Sequence, residues 1–221
     1  MPQVILFDWD ETLAHTRSAV VDAMEYVLKK YGKEPWEIVK TKYRDTTKSL
    51  KENFPNFFQD NADKAYKEYL KYYKNHGYRK VKPLEDAAAF LRLCQSKNIE
   101  IYIISNKEKS LLLKEVSFCF PDIKFSGILG NGDAPHNKPA PDPVFTALKG
   151  AKYAIDKNNV WLIGDSKQDT ECACAAHIQP VLLGKGKFMD DEYLHKNKEI
   201  LLVFNSFAEL ITYVKSLRPR A

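Results

Sequence analysis

Two carboxylates one residue apart follow the first apolar run of this sequence. Asp8 and Asp10 stand directly after Val4–Phe7, whose apolar residues predict a short buried strand. A strand that ends in acidic residues presents them at the carboxyl edge of a sheet, where ligands bind in open parallel α/β sheets. Such a pair suits one carboxylate as a nucleophile and its neighbour as general acid and base. Alone the pair is a weak signal, because acidic loops after strands are common and usually only solvated.

Two further segments carry groups that can bind phosphate. Ser105 and Asn106 follow a predicted strand, and a hydroxyl with backbone N–H groups at such a turn can hold a phosphate oxygen. Lys138 precedes the Pro-Ala-Pro-Asp-Pro run at 139–143, whose prolines keep the backbone extended and lead into a helix. A lysine fixed in this way can neutralise a phosphate or a carboxylate. A helix cap at Ser105 and a surface lysine at 138 are the alternatives.

A second pair of carboxylates follows the predicted strand at 160–163. Asp165 and Asp169 are four residues apart at the head of a helix, so they share one of its faces. Oxygen ligands of this kind suit a hard cation such as Mg²⁺. Helix capping by Asp165 and a favourable helix dipole for Asp169 are the alternative explanation.

These groups depend for their placement on a strand–helix alternation after Pro83. The sequence predicts strands over residues 99–104, 127–129, 160–163, 180–183 and 201–204. It predicts helices over residues 84–97, 110–116, 142–149, 168–176 and 206–217, the last capped by Ser206. Strands that alternate with helices imply right-handed crossovers and one parallel sheet.

The segment between the first strand and Pro83 differs, because its periodicity predicts only helices, over residues 18–31 and 62–73, with a less regular stretch at 36–53 between them. We therefore predict an α/β fold, a doubly wound parallel sheet (a Rossmann-like core) with an inserted α-helical cap domain. The core would comprise residues 1–14 and 82–221, and the cap residues 15–81. The cap segment carries the basic excess of the chain, which could attract an anionic substrate or simply reflect solvated helix faces.

Composition excludes several classes of protein. The chain has 221 residues, of which 44% are hydrophobic and 29% charged, as in ordinary globular proteins. No apolar run approaches the roughly 18 residues of a membrane helix, and no signal peptide is recognised, so we expect a cytoplasmic protein without membrane contact. The four cysteines lack metal-ligand spacing and are expected to be reduced thiols. Tyrosines among the lysines at 62–74 follow the helical period, so packing is favoured over nucleic-acid binding.

The four motifs together are more specific than any one of them. Their order, Asp-x-Asp-x-Thr at 8–12, Ser-Asn at 105–106, Lys138, and Gly-Asp-Ser-x-x-Asp at 164–169, resembles the phosphatase branch of the haloacid dehalogenase-like superfamily. The resemblance covers the chain from Val4 to about Leu183. The position of the helical segment and the Lys-Pro-Ala-Pro-Asp run are similar to the phosphoglycolate phosphatase-like subgroup.

This resemblance implies a role for each matching position. Asp8 would be the nucleophile that forms an aspartyl-phosphate, and Asp10 would protonate the leaving oxygen and then activate water. The implied phosphate-binding residues are Trp9, Ser105, Asn106 and Lys138, and Lys138 would also be a catalytic residue that neutralises charge. The implied Mg²⁺ ligands are Asp8, Asp165 and the main-chain carbonyl of Asp10, with Asp169 orienting them.

The sequence also departs from the family pattern. Glu11 stands where the family usually has glycine, which would add a charge beside the metal and alter the turn. His15 and Thr16 replace an Asp-Ser pair, so His15 is either a substrate contact or a hinge histidine at the surface. The basic residues that could meet the anionic end of a substrate are Arg17, Arg44 and Lys48.

The predicted function is Mg²⁺-dependent hydrolysis of a small phosphorylated metabolite, by a monomer or homodimer. The alternative within enzymes is a phosphotransferase such as a sugar-phosphate mutase, which uses the same aspartyl-phosphate but excludes water. A non-catalytic binding protein on the same fold is the alternative outside enzymes, since fold alone does not guarantee activity.

Overall fold

The computed structural model describes residues 1–45, 48–184, 191–197 and 202–218. Its strands are β1 (Val4–Phe7), β2 (Ala14–His15), β3 (Lys82–Pro83), β4 (Glu100–Glu108), β5 (Gly127–Asn131), β6 (Val160–Gly164), β7 (Gln179–Leu183) and β8 (Leu202–Phe204). In the described residues, six of them form one sheet in the order β5-β4-β1-β6-β7-β8, and every neighbouring pair is parallel. The predicted parallel sheet is confirmed, with β1 near its centre.

Helices occupy most of the remaining chain. The α-helices are α1 (Arg17–Lys30), α2 (Trp36–Tyr43), α3 (Leu50–Phe58), α4 (Ala62–Asn75), α5 (Ala87–Ser96), α6 (Lys109–Cys119), α7 (Asp142–Ala147), α8 (Lys167–Ala175), α9 (Asp191–Lys196) and α10 (Phe207–Ser216). Short 3₁₀ helices lie at Gln59–Asn61 and Gly77–Lys80. Among the described residues, no helix is both long enough and apolar enough to cross a lipid bilayer.

Both faces of the sheet are covered, as a doubly wound fold requires. Side chains alternate along a strand, so β1 sends Ile5 and Phe7 to one face and Val4 and Leu6 to the other. The first pair shares a buried cluster with side chains of α5, α6 and α10. The second pair shares one with side chains of α7 and α8. None of the four has exposed surface, which explains why β1 is a continuous apolar run.

Helices α1 to α4 form a helical segment between β2 and β3. These two short strands pair antiparallel, so the chain enters and leaves the segment at one point, with His15 opposite Lys82. Aromatic rings fill the interior of the segment. The ring of Phe54 on α3 lies 4.9 Å from that of Tyr66 and 5.6 Å from that of Tyr69, both on α4. The tyrosines of α4 therefore pack inward, as their helical spacing predicts.

Two elements differ from the sequence prediction. The irregular stretch at 36–53 is two helices, because a capping box between Ser49 and Glu52 starts α3 anew. Strand β4 continues beyond Ile104 to Glu108, with a shift of register against β5 between those two residues. Ser105 and Asn106 therefore lie in an irregular part of β4 rather than in a turn after it. The prediction for β8 began at Leu201, which lies outside the described residues.

Candidate active site

The carboxyl ends of three adjacent strands meet at Asp8. Phe7, the last residue of β1, pairs with Ile103 of β4 on one side and Ile163 of β6 on the other. The Asp8 amide then donates to the Ile163 carbonyl at 2.9 Å. Because parallel strands end at the same edge, this register brings the residues that follow β1, β4 and β6 together.

A buried lysine joins two of the predicted acidic residues. Lys138 Nζ lies 2.6 Å from Asp8 Oδ1 and 2.6 Å from Asp169 Oδ1. The lysine is only 4% exposed. Burial alone would lower the pKa of Lys138, but the carboxylates of Asp169 and Asp8 outweigh it and raise the pKa above its ordinary value. The lysine is therefore a fixed positive charge beside Asp8.

The side chain of Asn106 holds the main chain of this lysine. Asn106 Nδ2 donates to the Lys138 carbonyl at 2.8 Å, and the Lys138 amide donates to Asn106 Oδ1 at 3.0 Å. Ser105 is 6% exposed, and its hydroxyl accepts from the Lys107 amide at 3.2 Å. Asn106 thus positions Lys138 through its side chain, a contact that the sequence did not predict.

Three carboxyl groups form a cluster that can hold a cation. One oxygen each from Asp8, Asp165 and Asp169 lies within 4.8 Å of the other two. Burial, partly offset by Lys138, raises the pKa of Asp8 to about 7. Burial, and to a smaller extent the charge of Asp8, raises the pKa of Asp165 to about 8. A cluster that resists ionisation in this way is stabilised by a bound cation, and its oxygen donors fit Mg²⁺.

Asp169 is already occupied by other contacts. Its Oδ1 accepts from Lys138, while its Oδ2 accepts from the Ser166 amide at 3.1 Å and the Ser166 hydroxyl at 2.5 Å. Both oxygens of Asp169 thus already accept hydrogen bonds, one of them from the lysine that also contacts Asp8. Gly164 makes room for this arrangement, because a Cβ there would lie 2.3 Å from Asp169 Cγ.

Asp10 is held on the more open side of Asp8. Its side chain is 38% exposed, against 11% for that of Asp8. Asp10 Oδ1 accepts from Thr16 Oγ1 at 2.5 Å and from Lys107 Nζ at 2.8 Å. These contacts fix the orientation of the carboxyl group that the sequence predicts as general acid and base.

The indole of Trp9 is buried away from phosphate-binding groups. Trp9 has no exposed surface, and its Nε1 donates to Glu115 Oε2 at 2.5 Å. Its ring meets that of Phe120 edge to face, with the ring centroids 5.8 Å apart. A phosphate contact from Trp9 can therefore come only from its main chain.

Glu11 takes the backbone conformation of a glycine but uses its side chain to cap a helix. Its φ angle is 59°, in the left-handed region that most side chains avoid. Its Oε1 accepts from the amides of Thr16 and Arg17, both at 2.9 Å, where α1 begins. The charge expected beside the metal is thus placed at the N-terminus of α1, where it is favourable.

The predicted substrate residues fall into two groups. His15 Nδ1 lies 3.4 Å from Glu11 Oε2, and its side chain is 61% exposed, which fits a surface position at the start of the helical segment. Lys48 pairs with Asp45 at 3.4 Å. His15 is thus engaged by Glu11 of the core, and Lys48 by Asp45 of its own segment, rather than by the acidic cluster.

Arg17 and Arg44 differ, since neither forms an ion pair within the described residues. Arg44 stays accessible to solvent. Its pKa is lowered mainly by partial burial and to a smaller extent by the charge of Arg17, whereas the charge of Asp10 raises it. The two guanidinium groups are therefore close enough to affect each other's charge, and that of Arg44 is within electrostatic reach of Asp10.

The site also contains residues to which sequence analysis gave no role. Thr12 Oγ1 lies 3.4 Å from both Asp8 Oδ2 and Asp165 Oδ1. Lys107 and Glu115 contact Asp10 and Trp9 respectively. Lys107 could have been noticed as the residue after Ser105 and Asn106, whereas nothing in the sequence distinguishes Glu115 from other helical glutamates.

An α/β fold with aspartates and a buried lysine at the carboxyl ends of its strands indicates a hydrolase that handles an anionic substrate. The sequence matches the family of haloacid dehalogenase-like hydrolases over residues 5–183, and the chain belongs to that family. The resemblance inferred from its motifs is thereby confirmed.

Relatives of the chain include phosphatases. A phosphoglycolate phosphatase of Neisseria gonorrhoeae is 30% identical over 185 residues, which cover 79% of this chain and 76% of that protein. The pyrophosphatase PpaX of Oceanobacillus iheyensis is 23% identical over 216 residues, which cover 96% of each. The solved structure of a haloacid dehalogenase-like family hydrolase from Streptococcus pneumoniae superposes with a TM-score of 0.77 at 22% identity, covering 96% of this chain and 98% of that one. The last comparison shows a common fold.

Proposed function

We propose that this protein is a Mg²⁺-dependent phosphatase that hydrolyses a small phosphorylated metabolite through an aspartyl-phosphate on Asp8. The observation that carries the proposal is the contact of 2.6 Å between Lys138 Nζ and Asp8 Oδ1, beside the carboxyl group of Asp165. A buried carboxylate paired with a fixed cation suits attack on an anionic phosphoryl group, and family membership and phosphatase relatives support the same reaction.

In the first step an oxygen of Asp8 attacks phosphorus, and the bond from phosphorus to the leaving oxygen breaks. Asp10 donates its proton to that oxygen, so the leaving group departs as a neutral hydroxyl. In the second step Asp10 accepts a proton from water as the water oxygen attacks phosphorus. Inorganic phosphate then leaves and the Asp8 carboxylate is regenerated, so that one difficult displacement becomes two easier ones.

Charge is the main obstacle to the first step, because a carboxylate and a phosphate dianion repel each other. Lys138 offsets part of this repulsion from a position that its two carboxylate contacts fix. Mg²⁺ held by Asp8, Asp165 and the main-chain carbonyl of Asp10 would supply further positive charge at the phosphoryl oxygens. The remaining oxygens would be bound by the Ser105 hydroxyl and the main-chain amides of Trp9 and Asn106.

We assign residues 15–81 to a cap domain and residues 1–14 and 82–221 to the catalytic core. The antiparallel pair of β2 and β3 supports these boundaries, because the chain passes from core to cap in β2 and returns from cap to core in β3. A cavity of about 290 Å³ is lined by α3 and α4 of the cap and, from the described residues of the core, by Asn131 and Asn137. Asn137 directly precedes Lys138. None of the described residues that line the cavity belongs to the acidic cluster itself.

Arg17 and Arg44 are the cap residues best placed to bind a second anionic group of the substrate. They have no ion-pair partner among the described residues, Arg44 lies within electrostatic reach of Asp10, and Arg17 is close enough to Arg44 to affect its charge. This supports a substrate with two anionic ends, such as phosphoglycolate, over a phosphorylated sugar without a second charge. The cytoplasmic location and the state as monomer or homodimer stay predictions.

The test is release of inorganic phosphate from p-nitrophenyl phosphate and a panel of phosphorylated metabolites, with Mg²⁺ and with EDTA. We expect turnover that requires Mg²⁺, that is lost in Asp8→Asn, and that persists in the surface control Asp122→Asn. Phosphate transfer to an added sugar phosphate without release would favour a phosphotransferase. No turnover by folded protein that binds Mg²⁺ would favour a non-catalytic binder.

A further inference from the structure

A buried lysine outside the family motifs contacts the predicted general acid. Lys107 Nζ lies 2.8 Å from Asp10 Oδ1, 3.2 Å from Glu115 Oε1 and 3.3 Å from the hydroxyl of Tyr73. The side chain of Lys107 is 7% exposed and that of Glu115 is fully buried. Neither residue has a part in the reaction as proposed above.

Stability alone is a poor explanation for this cluster. When an ammonium and a carboxylate are buried together, the loss of their hydration offsets most of their attraction. A well-packed pair of apolar residues would serve a purely structural purpose as well or better. The arrangement therefore points to a use for the ammonium group at the place where it is held.

Each partner of Lys107 comes from a different element and is itself fixed. Glu115 on α6 accepts the hydrogen bond of the Trp9 indole at 2.5 Å. Tyr73 on α4 has no exposed surface, and the ammonium lies 5.1 Å from the centre of its ring. The position of Nζ is thus set by the core through Glu115 and by the helical segment through Tyr73.

The ammonium in turn restricts Asp10. Asp10 Oδ1 accepts from Lys107 Nζ and also from Thr16 Oγ1. Among the described residues, no group donates a hydrogen bond to Asp10 Oδ2. Two donors on one oxygen leave the other oxygen free and fix the plane in which it lies.

We propose that Lys107 is a positioning residue that, together with Thr16, holds Asp10 Oδ1 so that Oδ2 exchanges the proton of the reaction. The inference rests on the proposed function, in which Asp10 is the general acid. In the first step the proton moves from Oδ2 to the leaving oxygen as its bond to phosphorus breaks. In the second step Oδ2 takes a proton from the attacking water. Lys107 loses no proton in either step and does not touch the substrate.

The test compares two leaving groups of nearly equal size. Phenyl phosphate needs a proton on its departing oxygen, whereas p-nitrophenyl phosphate releases a stable anion without one. The value of kcat/KM reports the steps up to departure of the leaving group. For Lys107→Met we expect kcat/KM to fall about tenfold more for phenyl phosphate than for p-nitrophenyl phosphate, with little change in KM, because general acid catalysis contributes about 10²–10⁴-fold.

Lys114→Met is the matched control. Lys114 also connects α6 to the helical segment, donating to the Lys74 carbonyl at 2.6 Å and covering the Tyr78 ring at 4.0 Å. It contacts none of the site residues, so its removal should affect both substrates equally. Thr16→Val removes the second donor to Asp10 Oδ1 with almost no change of shape. If Lys107→Met does not fold, Thr16→Val should show the same larger fall in kcat/KM for phenyl phosphate.

Asp10→Asn distinguishes the proposed role of Asp10 as general acid from the proposed positioning role of Lys107. It should show the largest loss with phenyl phosphate. If Asp10→Asn affects both substrates equally, the proposed role of Asp10 is wrong and the inference about Lys107 falls with it. Another outcome is that Asp10→Asn lowers kcat/KM more for phenyl phosphate while Lys107→Met and Thr16→Val lower kcat/KM equally for both substrates. In that case only the positioning role of Lys107 is overturned.

Discussion

The side chain of Asn106 pairs with the main chain of Lys138 through two hydrogen bonds, of 2.8 and 3.0 Å. This pair connects the end of β4 to the loop that carries the buried lysine. Because the lysine amide and carbonyl are both satisfied by one side chain, the ammonium group enters the site from a fixed backbone position. The charge beside Asp8 therefore depends on a residue that does not itself touch Asp8.

We expect Asn106→Ala to lower the free energy of unfolding by about 1–3 kcal/mol, since it leaves two main-chain groups of Lys138 without partners. Phosphatase activity should fall at the same time, because the lysine loses its anchor. Urea denaturation and initial rates measure the two effects. Asn205→Ala, which removes a similar amide contact to Glu209 beyond the edge strand β8, should lose stability but keep activity. Equal loss of activity in both variants would contradict the anchoring role.

Gly164 offers a second test of geometry. A Cβ at this position would lie 2.3 Å from Asp169 Cγ, so Gly164→Ala must displace the carboxyl group that holds Lys138. A displacement on the order of 1 Å in such a site can cost about a hundredfold in rate, and we expect a fall in kcat of this size. Gly150→Ala is the control, because Gly150 has φ +84° and open space around its Cβ position. It should lose stability through backbone strain and leave kcat unchanged.

Glu11 combines a strained backbone with a favourable cap, and two substitutions separate these effects. Glu11→Ala removes the cap of α1 but keeps a side chain at φ 59°, so we expect a loss of about 1 kcal/mol in the free energy of unfolding. Glu11→Gly also removes the cap, but glycine adopts this φ without strain. The free energy of unfolding of Glu11→Gly, measured by urea denaturation, should therefore lie between that of Glu11→Ala and that of the wild type. A glycine variant less stable than the alanine variant would show that backbone strain is not important here.

Binding of Mg²⁺ should depend on pH. Burial raises the pKa of Asp8 to about 7 and that of Asp165 to about 8. Both pKa values exceed those of an unfolded chain, so without metal these groups favour the folded state at low pH, and this contribution is lost as pH rises through about 7 to 8. Mg²⁺ binds the ionised groups and competes with protons. The increase in Tm on adding Mg²⁺ should therefore grow between about pH 6 and about pH 9.

Asp165→Asn and Asp122→Asn provide the comparison for this measurement. Asp165→Asn removes a predicted ligand and should abolish most of the increase in Tm at every pH. Asp122 is exposed on the surface, so Asp122→Asn should behave as the wild type. An increase in Tm that is independent of pH would mean that Mg²⁺ does not bind at this carboxylate cluster.

The sequence predicted the parallel sheet and the approach of Asp8 to Asp165 because both follow from local patterns, whereas Lys138 was placed beside them by the resemblance to the family. Apolar runs that end in polar residues identify strand ends, and parallel strands bring those ends to one edge. Contacts between side chains far apart in sequence have no such signature. The hydrogen bond from Trp9 to Glu115 spans 106 positions, and neither residue type predicts it.

Backbone irregularity was the other source of difference. The shift of register in β4 between Ile104 and Glu108 leaves no mark on hydrophobic periodicity, so the strand was predicted to end early. The left-handed conformation of Glu11 was equally hidden, because that conformation is usually predicted from glycine. Sequence reasoning therefore selected candidate residues that the structure brings together, but it missed the contacts that orient Asp10 and Lys138.

Arg44 tests the class of substrate. Arg44→Met removes a guanidinium group without an ion-pair partner in the described part of the chain, so little stability should be lost. If this group binds a second anionic end of the substrate, KM for phosphoglycolate should rise about 10- to 100-fold, the equivalent of one charge-assisted hydrogen bond. KM for p-nitrophenyl phosphate, which has no second charge, should stay the same. Steady-state kinetics with both substrates measure this difference.

Lys48→Met is the matched control for this experiment, because Lys48 is a basic residue of the same segment that already pairs with Asp45. It should leave KM for both substrates unchanged. Arg17→Met should resemble Arg44→Met, since the two guanidinium groups lie close enough to affect each other's charge. If both arginine variants alter KM equally for the two substrates, the arginines contribute only a general positive field, and the substrate need not carry a second anionic group.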